Sequence, residues 1–301
     1  MESKFAMQEL RLALKGEELR LKELWKLCFG DPESYINFFY TNRYKADETA
    51  VLLEEGTILA MLTMIPVRTI TVEKRNFRTA MLYAIATDPK HQNKGLATKL
   101  IDYCDIYLKT CKTQLSVLVP ASLQLFNFYR KLGFQNGFYI KEAQFFRSNM
   151  DRMPIQTRDE CTISAITPQE YNRRRNNQLK GKVYISYSDE DIAYQKKLSQ
   201  LSGADIYGVD VGDSQGCFAV ERLSSDKVLI KEILLPENCM TAALKAISTE
   251  IEADDYSLRT HPHLGAQLEG TVRPFGMVRM AGEIEGTITS NNFGYLGLAF
   301  D

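Results

Sequence analysis

The chain is poor in the features that would mark several common protein classes. Its six cysteines, at 28, 104, 111, 161, 217 and 239, form no CxxC pair and no dense framework, so neither a zinc module nor a disulfide scaffold is expected. Cys104 and Cys111 fall on one helical pattern, roughly 10 Å apart at about 1.5 Å per residue, too far for a disulfide. Reduced, mostly buried thiols are expected. There are only three histidines; His261 and His263 have no third ligand nearby, so they are expected to be loop residues and no metal is anticipated. The longest apolar run, Ile58 to Ile65, stops at Pro66, far short of the roughly 18 residues of a membrane span. The first residues, Met1-Glu2-Ser3-Lys4-Phe5, contain no apolar signal core, which predicts a cytoplasmic protein with no membrane partner. An excess of one charge sign is missing too. Lys and Arg number 37 against 38 Asp and Glu, a net charge of -1, which argues against a nucleic-acid or anionic-membrane binder. Neither Gly-x-x-x-x-Gly-Lys-Ser/Thr nor Gly-x-Gly-x-x-Gly occurs, which excludes the Walker loop and the dinucleotide fingerprint.

What remains is an ordinary globular composition, 45% hydrophobic and 25% charged, in a chain about twice the length of a typical domain of roughly 150 residues. Residues 17–29 repeat apolar positions at helical spacing and stop at Gly30; Asp31-Pro32-Glu33 reads as the cap of a second helix over 35–44. Strands are expected at 49–53 and 58–67 around a Glu54-Glu55-Gly56 turn, then at 69–72 and 77–87. Leu96, Leu100, Ile101, Cys104, Leu108 and Cys111 share one helical face. A nearly continuous apolar strand, 115–119, and a short helix, 123–132, complete a βαβ pattern and predict a partly parallel sheet.

The polar stretch 148–160 reads as a domain boundary. Beyond it the order repeats: a hairpin over 206–223, a strand over 228–235, a helix over 239–251 and a strand over 256–260. Pro89 and Pro236, Pro120 and Pro262, and Gly133 and Gly276 match at offsets of 147, 142 and 143 residues, and Arg273 to Met277 takes the place of Arg130 to Phe134. Such a period suggests two tandem copies of one fold. Arg173-Arg174-Arg175 is expected on a solvated helix face.

The chemically informative segment is Tyr83 to Thr98. A buried strand runs into a short loop, and Gln92-Asn93-Lys94-Gly95-Leu96-Ala97 opens an amphipathic helix. The first turn of a helix offers unpaired N–H groups and the positive end of its dipole. Gly95 permits close backbone approach, Ala97 leaves room and Lys94 adds charge: a cradle for a diphosphate. His91 just before the loop could add to its field, although a surface position is the default.

Gln92-x-x-Gly95-x-Ala97 after the strand, with Phe128-Tyr129-Arg130-Lys131-Leu132-Gly133-Phe134 one βα unit later, resembles the GNAT family of N-acetyltransferases. That family's pyrophosphate loop reads Arg/Gln-x-x-Gly-x-Gly/Ala, and its later signature is a Tyr-bearing helix ending in Gly-Phe. The resemblance covers roughly residues 5 to 145, and over 160 to 301 strand order only. It implies an acyl-CoA N-acyltransferase (GNAT) fold, α/β with a mixed sheet, duplicated in tandem: an acetyl-CoA-binding domain over 1–147 and a degenerate copy over 161–301.

The implied chemistry is acetyl transfer from acetyl-CoA to a primary amine, on a small molecule or a peptide, by direct attack in a ternary complex. The strand ending Ile85-Ala86-Thr87 would part from 115–119 to admit the pantetheine arm, with one backbone N–H aimed at the thioester oxygen. Gln92, Asn93, Lys94, Gly95, Leu96, Ala97 and Thr98 would hold the diphosphate, and Tyr129 would protonate the departing thiolate. Tyr83 and Glu142 are both candidates for the general base. Ser122 stands where many members have an Asn that contacts the cofactor. In the second copy, Leu235-Pro236-Glu237-Asn238-Cys239-Met240 has no such loop and Glu237 would repel a diphosphate, so no CoA is expected there. Related tandem acetyltransferases bring their own C-terminal carboxylate into the first site, which makes Asp301 a candidate; the alternative is that 295–301 is simply a last strand. A non-catalytic acyl-CoA sensor, or an interaction protein retaining the fold, are the competing readings.

Overall fold

Leu21, Leu24 and Trp25 recur at helical spacing and are buried, which makes α1 (Glu18–Phe29) one-sided. Gly30, in the left-handed region at φ 72°, ends it by donating its N–H to the Lys26 carbonyl. The following α2 (Glu33–Asn42) starts after Pro32 without a side-chain cap. Asp31, expected to be that cap, instead accepts a hydrogen bond from the Trp25 indole N–H at 2.8 Å. An indole N–H in a buried position needs an acceptor, and that demand takes the carboxylate.

The computed structural model describes residues 7–152, 160–281 and 294–300. They divide into two units. Unit 1 lies within Met1–Arg68, Phe77–Gln135 and Val278–Glu285, unit 2 within Thr69–Asn76, Asn136–Met277 and Gly286–Asp301. This division differs from a cut at 148–160.

Unit 1 contains β1 (Gln8–Leu12), which the sequence reading did not anticipate, α1, α2, β2 (Thr49–Glu54), β3 (Thr57–Ile70), β4 (Asn76–Thr87), α3 (Leu96–Thr110), β5 (Leu115–Leu118) and α4 (Leu123–Lys131). Its strands lie in the order β1-β2-β3-β4-β5. β1 and β2, and β2 and β3, are antiparallel; β4 and β5 are parallel, as a strand–helix–strand crossover requires.

Unit 2 contains β6 (Gln135–Phe146), β7 (Cys161–Ala165), α5 (Pro168–Gln178), β8 (Tyr184–Ser186), α6 (Asp189–Leu201), β9 (Ile206–Val211), β10 (Ser214–Arg222), β11 (Lys227–Leu234), α7 (Met240–Glu250), β12 (Asp255–Thr260) and β13 (Gly270–Met280), whose residues from Val278 onward count with unit 1. In the order β7-β9-β10-β11-β12-β6 the first five strands match the five of unit 1, again with a parallel pair, β11 with β12, flanking a crossover helix. β6 belongs here because it pairs antiparallel with β12 from Asp255↔Phe146 to Thr260↔Lys141, and Phe145 stacks on Tyr256 at 4.6 Å. One landmark of the repeat fails. Arg273 to Met277 lies in β13, not in a helix. Arg273 is committed to Glu142 by two contacts of 2.6 Å, and Phe275 and Met277 are buried.

Two of the three arginines also depart from expectation. Only Arg173 is half-exposed; Arg174 and Arg175 are buried. Arg175 and Glu232 are fully buried with an N···O distance of 2.9 Å, Tyr171 donates to Glu232 at 3.0 Å, and Arg175 donates to the Ile185 carbonyl at 2.7 Å. A guanidinium can sit there only because its charge and most of its donors are matched. Over this pair runs the C-terminal segment Gly294–Phe300, bonded through Gly294 to Gly137 and Tyr139 and through Tyr295 to Val183 and Ile185. Asp301 lies outside the described residues.

The cysteines are free; Cys104, Cys217 and Cys239 are buried, Cys28 and Cys161 half-buried, and Cys111 exposed. Among the described residues no helix is long and apolar enough to cross a membrane, and no group of three or more His, Cys, Asp or Glu is placed to hold a metal. His261 lies in the loop after β12, as expected, but is only 2% exposed and so packs into the core of unit 2. Its Nδ1 accepts the His263 N–H at 3.2 Å, and burial pushes its pKa down to about 3. Folded protein therefore keeps His261 neutral while unfolded chain binds a proton below about pH 6.5, so this residue costs stability as pH falls from there towards 3. Acid denaturation followed by circular dichroism should show His261→Gln with a shallower loss between pH 6 and 4 than the parent, by up to about 1.4 kcal/mol per pH unit. Identical acid limbs would contradict this.

Candidate active site

The pairing of β4 with β5 is short. It runs Thr79↔Leu115, Ala80↔Ser116, Met81↔Val117 and then stops, although β4 continues to Thr87. Just past the last pair, Ala84 adopts φ 49°, the left-handed region that a residue with a Cβ enters at a cost of about 1–2 kcal/mol. One such residue inside a strand turns the pleat, as in a bulge. Tyr83, Ala84 and Ile85 are accordingly all half-buried, where strict alternation would hide every second one. Beyond this point the edge of β4 that faced β5 is released from the ladder. Ile85, Ala86 and Thr87 lie on that released stretch, Ala86 buried and its neighbours half-buried.

β4 leads directly into the loop. Asp88 accepts the Lys90 N–H at 3.0 Å and a guanidinium N–H of Arg20 at 2.7 Å, with His91 Nδ1 3.8 Å away. Arg20 on α1 holds the Asp88 carboxyl below the usual carboxylate range, so the loop is tied to the first helix by an ionised pair. Gln92 donates its side-chain amide to the Thr87 carbonyl at 3.2 Å, folding the loop back on the strand end. Asn93 (φ 61°) and Gly95 (φ 76°) are both left-handed and flank Lys94; all three are exposed. α3 then begins at Leu96 with Gly95 as its N-cap and no side-chain cap. The backbone N–H groups of Leu96, Ala97 and Thr98 thus open a helix whose positive end no carboxylate or hydroxyl covers, and Lys94 stands beside it. The strand end, loop and helix start thus follow one another without a break from Ile85 to Thr98, with Ala86, Asp88 and Leu96 buried along the way.

Tyr129 is the only buried residue of α4. Its ring packs edge-on against Phe128 (5.1 Å) and Phe134 (5.9 Å), and burial pushes its hydroxyl up to about 12. The helix end beyond it is fixed from far along the chain. Arg279 lies 4.8 Å over the Phe134 ring, donates to the Leu132 carbonyl at 3.2 Å and pairs with Asp105 of α3 at 3.1 Å. Ser122 caps α4, accepting from the Leu125 N–H at 3.3 Å, so its hydroxyl serves the helix.

The two candidate bases differ in setting. Glu142, in unit 2, is clamped by Arg273, with Arg259 at 3.6 Å; these hydrogen bonds lower its pKa and make it a weak base. Tyr83 stands on β4 directly before the turn at Ala84. Its hydroxyl lies 3.2 Å from that of Tyr35, and its ring packs on Trp25 and Phe39. Neither Tyr35, Ala84 nor Arg279 was visible as a site residue in the sequence; an alanine with a left-handed backbone leaves no signature there.

Unit 2 shows what the same order looks like without an opening. Its parallel pair runs from Lys227↔Asp255 to Ile230↔Leu258, shifts register there as at a bulge, and closes again at Ile233↔Thr260, where the Thr260 hydroxyl donates to the Ile233 carbonyl at 2.6 Å. At the start of its crossover helix the Glu237 carboxylate already accepts the N–H groups of Gly265 and Ala266, each at 2.7 Å.

Residues 9–137 match the acetyltransferase (GNAT) domain family. No curated protein matches the chain. Among solved structures, a GCN5-related N-acetyltransferase from Anabaena variabilis superposes with a TM-score of 0.74 at 14% identity, over 92% of this chain and 73% of its own. A probable N-acyltransferase from Enterococcus faecalis gives 0.71 at 14% identity, over 91% and 73%, and Eis1 from Mycobacterium abscessus gives 0.68 at 11%, over 91% and 74%. At these identities the likeness is one of fold, and it extends across both units.

Gly95→Ala should isolate the conformational demand of the loop. A Cβ there meets nothing within 4 Å, so the cost is that of the left-handed backbone alone, about 1–2 kcal/mol in urea denaturation. A variant as stable as the parent would show that the loop readily adopts another path.

Proposed function

We propose, from the premise that residues 9–137 form a GNAT acetyltransferase domain, that this chain transfers an acetyl group from acetyl-CoA to a primary amine at the released end of β4. One observation carries the reading: β4 leaves β5 after Met81↔Val117 and runs on into an uncapped helix start. Such an opening offers a row of backbone donors and acceptors to an amide-rich arm and, at its end, a set of N–H groups to a diphosphate.

In this reading the backbone of Ile85, Ala86 and Thr87 binds the pantetheine arm, and one N–H of the stretch faces the thioester oxygen, where negative charge grows as the amine attacks. Asn93, Lys94, Gly95, Leu96, Ala97 and Thr98 hold the diphosphate, while Gln92 acts through the Thr87 carbonyl by keeping the loop folded. Acetyl-CoA supplies the activated acyl group; the protein supplies position, a fixed donor and protons. Tyr129 is neutral throughout the working pH range, so its hydroxyl is always able to donate towards the departing sulfur. With the ladder of unit 2 closed again at Ile233↔Thr260 and the Glu237 carboxylate standing just before its crossover helix, we take it as a second copy of the fold that binds no CoA.

Thiol release from acetyl-CoA with spermidine, kanamycin and an unblocked peptide tests the activity. Tyr129→Phe should lower kcat about a hundredfold. The parent's kcat should show no alkaline fall up to pH 10, since a hydroxyl near 12 does not ionise there. An unchanged rate in the variant removes the acid role; no release with any amine removes the acetyltransferase reading.

A further inference from the structure

An amine offered at neutral pH is an ammonium, and it must shed a proton before its nitrogen can attack. We infer that Tyr83 and Tyr35 form a two-hydroxyl relay that carries this proton from the acceptor amine to solvent, an inference that rests on the acetyltransferase reading of the β4 opening. Tyr83 is two residues ahead of Ile85, in the part of β4 that lies beyond its last pair with β5. The left-handed Ala84 follows it immediately, so the side chain is set at the point where the strand turns. Its hydroxyl lies 3.2 Å from that of Tyr35 in the first turn of α2, which links the strand to the helix. Both rings are held edge-on by one indole: Trp25 lies 5.6 Å from Tyr83 and 6.3 Å from Tyr35. Trp25 is itself fixed by the Asp31 carboxylate in the turn before α2. The two phenols are therefore locked in one arrangement by packing, which is what a relay needs. Both are half-buried, and the residues beside Tyr35, Glu33 and Ser34, are exposed, so the outer end of the pair reaches water.

The transfer balances in protons. The ammonium N–H bond breaks and its proton passes to the Tyr83 oxygen. The proton of Tyr83 passes to the Tyr35 oxygen, and the proton of Tyr35 leaves to water. Both hydroxyls end neutral, and the amine keeps the lone pair with which it attacks. No carboxylate is needed, which accords with Glu142 being committed to Arg273. Tyr83 meets the amine in this scheme; Tyr35 acts through Tyr83 and is a positioning residue.

Tyr35→Phe and Tyr83→Phe keep the rings and remove only the hydroxyls. With spermidine as acceptor, each should lose about tenfold in kcat/KM at pH 7. The loss should shrink to about twofold or less by about pH 10.5, where roughly half of the amine has already given up its proton. Acetyl-CoA affinity by calorimetry should match the parent in both variants, and the Tyr83 ring-carbon resonance next to the hydroxyl should move in Tyr35→Phe, reporting the shared hydrogen bond in the free protein. A deficit of equal size at every pH, no deficit at all, or an unmoved Tyr83 resonance would overturn the relay while leaving an active parent enzyme. A parent that releases no thiol with any amine would overturn the underlying reading instead.

Discussion

Everything proposed for this protein depends on a ladder that stops early. Three residue pairs join β4 to β5, and then the left-handed Ala84 turns the strand while β5 ends at Leu118. Releasing one edge of a buried strand leaves backbone groups without ladder partners, and each unpaired buried group costs on the order of 1–3 kcal/mol. A fold tolerates that where something else can take the hydrogen bonds. Unit 2 supplies the comparison within one chain: a similar strand order and one parallel pair, but a ladder that shifts register after Ile230↔Leu258 and then closes again at Ile233↔Thr260, where a threonine hydroxyl stitches it. One unit leaves this polar edge open past Met81↔Val117, and the other pairs it again at Ile233↔Thr260.

The same contrast holds at the helix starts. In unit 1 the first turn of α3 follows two left-handed residues and carries no cap, with Lys94 alongside. In unit 2 Glu237 stands three residues before the crossover helix, its carboxylate held by two backbone N–H groups of the loop after β12. Charge of opposite sign near the two helix starts follows from Lys94 in one unit and Glu237 in the other. Unit 2 invests further in its own interior through the fully buried Arg175–Glu232 pair, which is costly to break on one side only.

Much of this was legible beforehand, for identifiable reasons. Hairpins and the crossover helices show in hydrophobic period, and Gly95 and Tyr129 show because a tight approach and a helix aromatic leave residue-level marks. The stretch from Ile85 to Thr98 could be placed on a strand, a loop and a helix start from its pattern alone. Other features were invisible because their cause is tertiary. Asp31 looks like a cap until the Trp25 indole claims it. Arg174 and Arg175 look solvated until their carboxylates, Asp210 and Glu232, arrive from other strands. Ala84 has no sequence signature, because alanine is not a residue from which a left-handed turn is inferred. Tyr35 needed the α2–β4 contact to become interesting, and Arg279 needed a fold that returns residues from Val278 onward to the first unit.

The central claim is that the released end of β4 is an acetyl-CoA site and that the matching region of unit 2 is not. Titration of the intact protein with acetyl-CoA by isothermal calorimetry tests it directly. The account predicts one saturable site per chain, weakened at least tenfold by Lys94→Glu, which repels the diphosphate at the α3 start. No saturable heat, two sites per chain, or a single site indifferent to Lys94→Glu would contradict it.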